Sequence, residues 1–93
     1  MFKTNTYFDN KVFSIAFDSN EGNATVGVMA PGEYTFGTTT KEYMTVVSGE
    51  MQVQLPGTTE WKTFKPYETF EVAADTSFNV KVTVDTSYKC IYK

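Results

Sequence analysis

Apolar residues in this chain recur at every second position, and nowhere hold a helical period over a stretch long enough for a helix. Phe78, Val80, Val82 and Val84 alternate with Asn79, Lys81 and Thr83. A period of two places every other side chain on one face of a pleated strand, so such a run is half buried. The same rhythm runs through Phe13, Ile15 and Phe17, and again through Met51, Val53 and Leu55. β-Branched and aromatic residues dominate these segments, which suits a pleated surface. Turn-forming residues separate them at residues 18–23, Pro31-Gly32, Ser48-Gly49 and Pro56-Gly57.

The pattern predicts about eight to ten short strands and an all-β sandwich or barrel. Ser48-Gly49 reads as a two-residue hairpin joining the strands at residues 43–47 and 50–55. Residues 38–41 read as a loop or bulge. Gly27, inside the apolar run 24–30, predicts a bulge or a close backbone approach. No linker, repeat or low-complexity segment interrupts the chain, so residues 1–93 are expected to form one domain.

A chain this short buries only about 60–65% of its extended surface. One tryptophan, six tyrosines and eight phenylalanines partly compensate, because each ring buries a large apolar area. An exposed sheet face paired with a second copy would bury more, so a homodimer is expected. Eight basic residues, every one a lysine, oppose eleven acidic ones for a net charge of -3. That balance argues against a nucleic-acid polymer as partner, since a basic footprint supplies most of such affinity.

Without arginine the chain has no bidentate guanidinium clamp for phosphate, which leaves lysines, hydroxyls and backbone N–H groups. Without histidine it lacks the usual neutral-pH base and the commonest nitrogen ligand for a transition metal. The lone Cys90 sits in an alternating run and reads as a buried strand thiol. No apolar run approaches the ~18 residues of a membrane-spanning helix. The opening MFKTNTYF has no signal-peptide core, so a cytoplasmic protein is expected.

The frame Gly32-x5-Thr38-x-Thr40-x-Glu42-x6-Gly49 resembles the first cupin motif, with threonines where that motif has its two histidines. Pro66 stands where the second motif keeps a proline. More of the chain is covered by the segments YFDNKVFSIAF, ATVGVMAPGEYTF, EYMTVVSGEMQVQLPG and the ending TSYKCIY. Together these resemble the small bacterial pyrimidine/purine nucleoside phosphorylases. The resemblance implies a dimeric cupin-type (RmlC-like) β-barrel that splits nucleosides with inorganic phosphate into free base and α-D-ribose 1-phosphate. It implies breadth across purine and pyrimidine nucleosides, and no metal or organic cofactor.

The residues supply candidates for each part of such a reaction. Glu42 is the expected catalytic carboxylate, placed to hold ribose hydroxyls and face developing positive charge. Strand parity puts Tyr34, Phe36, Thr38, Thr40 and Met44 on its side. Lys41 and the hydroxyls of Thr38, Thr39 and Thr40 are the phosphate candidates. Tyr34, Phe36, Phe70, Phe78, Tyr88 and Tyr92 are candidates for an aromatic platform under the base, because every base has a π-face. Glu71 and Asp75 fall near the second-motif region and could join Glu42 around a hard cation. A non-catalytic small-molecule-binding or sensory cupin is the alternative.

Overall fold

A computed structural model describes residues 2–93. Its strands are β1 (Lys3–Tyr7), β2 (Val12–Ser19), β3 (Gly22–Met29), β4 (Gly32–Gly37) and β5 (Glu42–Ser48), followed by β6 (Met51–Gln54), β7 (Lys62–Phe64), β8 (Thr69–Val72), β9 (Ser77–Val82) and β10 (Thr86–Tyr92). They form two antiparallel sheets, one ordered β1-β2-β3-β10-β5-β8 and the other β4-β9-β6-β7. No helix among the described residues is long and apolar enough to cross a membrane.

The core lies between the sheets. Val12, Met29, Val46, Met51, Val53 and Val80 are wholly shielded from solvent. Burying a side chain of this kind is worth about 1.5–3 kcal/mol relative to leaving it exposed. Phe36, Phe78, Phe70 and Phe64 continue the core as a chain of rings, each within 6 Å of the next.

Register decides which side chains share the inner face. Ser14 pairs with Gly27, Gly27 with Tyr88, and Tyr88 with Val46. The adjacent row runs Ala16, Thr25, Cys90, Met44, Phe70, and the next pairs Tyr92 with Glu42 and Glu42 with Val72. Gly27 is a close approach rather than a bulge. A Cβ there would stand 2.6 Å from the Tyr88 ring and 2.6 Å from the Phe13 carbonyl oxygen. The missing side chain lets the Tyr88 ring cross β3 toward β2.

Three local expectations change. Ser48-Gly49 does not close a hairpin, because β5 and β6 lie in different sheets. Gly49 adopts φ 89° where the chain passes between them, pressed against the Thr86 hydroxyl and the Asp85 carbonyl. The two-residue hairpin is instead Asn20-Glu21, so the loop at residues 18–23 is mostly strand. Ser19 Oγ closes it, donating to Gly22 O at 2.7 Å and accepting from the Glu21 N–H at 3.0 Å.

The third change concerns β2. Its buried residues are Val12 and Ser14, whereas Phe13 and Ile15 are exposed. Alternation identified two faces, but the more apolar one points away from the core.

Candidate active site

At one end of the space between the two sheets lies a cavity of about 360 Å³. Glu42 and Met44 reach it from the start of β5, and Tyr88 and Tyr92 from β10. Ser14 closes one side, Phe36 and Phe78 form the opposite wall, and Tyr7 at the end of β1 and Phe8 in the turn that follows cover it. Alternation along β5 and β10 delivers these groups together, since Glu42 stands opposite Tyr92 and Met44 opposite Cys90.

Glu42 supplies the carboxyl group of the cavity and is only 8% exposed. Cys90 Sγ donates to its Oε1 at 3.4 Å. No buried side-chain oxygen among the described residues lacks a partner, so Oε2, which Cys90 does not meet, opens onto the cavity. No lysine lines this space. Burial pushes the Glu42 carboxyl above the usual glutamate value, and the thiol hydrogen bond offsets part of that rise.

The surrounding groups are neutral donors. Burial raises the Tyr88, Cys90 and Tyr92 pKa values well above their ordinary range, and the nearby Glu42 charge adds to each rise. Tyr92 Oη lies 2.9 Å from Thr25 Oγ1. Cys90, fully buried, is the strand thiol its alternation suggests, and its local role is to cap one oxygen of Glu42.

Of the candidates, the structure brings Glu42, Phe36, Phe78, Tyr88 and Tyr92 to one cavity. Tyr34 lies behind Phe36, donates its hydroxyl to the Ala30 carbonyl and packs on Phe8. Phe70 is core, held between Phe64 and Phe78. The Thr38 hydroxyl is committed to the fold: it donates to Ala73 O at 2.7 Å and accepts from the Thr76 N–H at 3.0 Å. Thr40 is exposed and does not line the cavity, whereas Thr39 does.

Lys41 is turned the other way. It pairs with Glu71 at 3.4 Å on the outer face and sits over the Tyr43 ring. The register explains both, since Tyr43 stands opposite Glu71 while Glu42 stands opposite the buried Val72. A one-residue step reverses the face. Glu71 therefore cannot join Glu42, and no group of three or more metal-binding side chains occurs among the described residues.

Tyr7, Phe8 and Ser14 complete the cavity without having been among the sequence candidates. Ser14 was masked by its apolar neighbours Phe13 and Ile15, which suggested that the other face of β2 was inward. The Asp9-Asn10 pair was the available signal for Phe8, because both residues favour a tight turn and would set the ring at its tip.

This geometry belongs to a chain whose relatives are well defined. Residues 2–92 match the family model described as pyrimidine/purine nucleoside phosphorylase. A protein of that name from Pseudomonas putida (strain W619) is 59% identical over 93 residues, covering 100% of this chain and 99% of the relative. The chain belongs to the pyrimidine/purine nucleoside phosphorylase family.

Solved structures agree on the architecture of this family member. A Vibrio parahaemolyticus protein of unknown function superposes with a TM-score of 0.93 at 42% identity, covering 97% of this chain and 96% of its own. An RmlC-like cupin from Shewanella frigidimarina superposes with a TM-score of 0.74 at 14% identity, over 96% of this chain and 80% of its own. The fold is that of the cupins.

Proposed function

We propose that this chain is a broad-specificity nucleoside phosphorylase acting in the Glu42 cavity. A phosphate oxygen bonds to C1′ of the ribose as the C1′–N glycosidic bond breaks. The electron pair of that bond leaves with the base, which takes up a proton. Attack opposite the departing base of a β-nucleoside gives α-D-ribose 1-phosphate. The full-length identity to proteins named for this activity supports the reading.

The observation that carries the site is a buried carboxylate with one oxygen open to an aromatic-walled cavity and no lysine beside it. A carboxylate already neutralised by a cation would have little left to offer a developing ribosyl cation. Glu42 has no such partner, so its attraction grows as positive charge appears, which is differential binding of the transition state. Phe36, Phe78 and the tyrosines wall the cavity with π-faces, suiting many bases rather than one. Phosphate falls to hydroxyls and backbone N–H groups near Thr39 and Ser14, with Lys41 remaining outside. The ribose and phosphate are thus held in line, the entropic part of the rate enhancement.

On this reading the protein works as a homodimer in the cytoplasm, without metal. The apolar outer sheet face supports a second copy, and the free, reduced Cys90 suits a reducing compartment. The test is release of free base from uridine and adenosine, with and without phosphate and with and without a chelator. Release that requires phosphate and survives the chelator is expected. No release from either nucleoside would contradict the proposal and favour a non-catalytic binding cupin, and loss with chelator would contradict metal independence.

A further inference from the structure

Phe8 occupies the turn between β1 and β2 with φ 53°, followed by Asp9 at 56° and Asn10 at 66°. Aspartate and asparagine visit this left-handed region readily, but a bulky aromatic residue there is an outlier. Such strain persists only where the surroundings hold it, and it clusters at ligand-binding positions. The holding contacts are visible. The Phe8 ring lies 5.0 Å from Tyr34 and 5.5 Å from Phe36, edge-on to the latter at 85°. The Lys11 N–H closes the turn onto Phe8 O at 3.2 Å.

Despite these contacts Phe8 remains 41% exposed, and it lines the cavity that contains Glu42. A ring that merely filled the core would be covered. A ring that merely decorated the surface would not need a left-handed backbone to fix its angle. The turn instead anchors part of the ring on Tyr34 and Phe36 and leaves the remainder at the substrate side.

We propose that Phe8 is a specificity-determining residue that stacks on the nucleobase and forms the outer wall of the base site. This rests on the phosphorylase reading above and adds to it the residue that grips the leaving group. Stacking recognises the π-face and not the hydrogen-bonding edge, so it accepts purines and pyrimidines while favouring the larger purine ring.

The test compares wild type, Phe8→Leu and Phe8→Trp in phosphorolysis of adenosine and uridine. Phe8→Leu should raise the nucleoside KM about tenfold, within the range for loss of one base–aromatic stack. Its kcat and phosphate KM should stay within about twofold of wild type, and Phe8→Trp should restore the nucleoside KM. An unchanged nucleoside KM in Phe8→Leu would overturn the proposal. So would an equal rise in nucleoside and phosphate KM with a lowered melting temperature, which marks a purely structural turn.

A binding readout separates this inference from the reaction itself. In Phe8→Trp combined with Trp61→Phe, the only indole sits at the cavity. Saturable quenching of its fluorescence by adenosine supports the stack even if no base is released, whereas absence of quenching overturns it. Failure of the wild type to release base would instead contradict the phosphorylase reading.

Discussion

The two faces of the six-stranded sheet invert the usual polarity. Inward, at the open end, stand Ser14, Thr25, Tyr88, Tyr92 and Glu42; outward, on the same strands or their neighbours, stand Phe13, Ile15, Val26, Val28 and Val47. A sheet with one face on the core and one in water normally shows the opposite arrangement. Where the inner face is not core, Glu42 and neighbouring hydroxyls line the cavity of about 360 Å³. Over β2 and β3 the outer face is apolar and gathers around a hollow of about 370 Å³, whereas its β5–β8 edge carries the Lys41–Glu71 pair. On our reading one face is shaped for a small molecule and the other for a second copy of the chain.

Glu42→Gln should separate these roles most sharply. Replacing the carboxylate by an amide of the same shape should reduce turnover about a hundredfold or more, measured as base released per enzyme. Unchanged turnover would remove Glu42 from the site. The same variant sharpens the electrostatics. Burial raises the folded-state pKa of Glu42 above its ordinary 4.5, so the folded protein favours the neutral acid. The stability this contributes is complete below the ordinary value and is lost as pH rises through the raised one. Glu42→Gln should flatten that limb of the denaturation-midpoint curve against pH, and an identical curve in both proteins would contradict the burial argument.

Gly27→Ala probes the seam between the faces. A methyl group there meets both the Tyr88 ring and the backbone oxygen of Phe13, and the backbone cannot yield cheaply. Overpacking of this kind costs about 1–3 kcal/mol, readable in urea unfolding. Lost activity beyond the lost stability would follow from displacement of Tyr88, whereas unchanged stability would mean that the ring moves freely.

Ile15→Lys tests the outer face alone. Charge in the middle of an apolar interface should weaken self-association about tenfold or more, seen by sedimentation at micromolar concentration. A wild type that sediments as a monomer would refute the dimer. Lys41→Met should have the smallest effect. Its ion pair with Glu71 is exposed on both sides, so stability should change by less than about 1 kcal/mol and turnover should hold. A large rise in phosphate KM would restore Lys41 as a phosphate ligand.

The strand content was legible in the sequence because period-two alternation is a local property, and Phe78, Val80 and Val82 behave as their pattern demands. Glu42 could be singled out because glycines and threonines frame it at a recognisable spacing. What stayed hidden depends on long-range pairing. Alternation in β2 defines two faces but not which is inward, and Phe13 and Ile15 suggested the wrong one. Ser48-Gly49 carries the chemistry of a hairpin turn, yet β5 pairs with β10 and β8 while β6 pairs with β9 and β7. Lys41 lies beside Glu42 in the chain and opposite it across the sheet, a distinction that follows from the β5–β8 register.

The division of labour between the faces is tested most directly by mapping backbone amide chemical shifts during titration with uridine and inorganic phosphate. The largest changes are expected at Glu42, Phe36, Phe78, Tyr88 and Tyr92, with residues 13, 15, 26 and 28 little affected. Changes concentrated on those outward residues, or none at the Glu42 cavity, would contradict the assignment of the inner face as the substrate site.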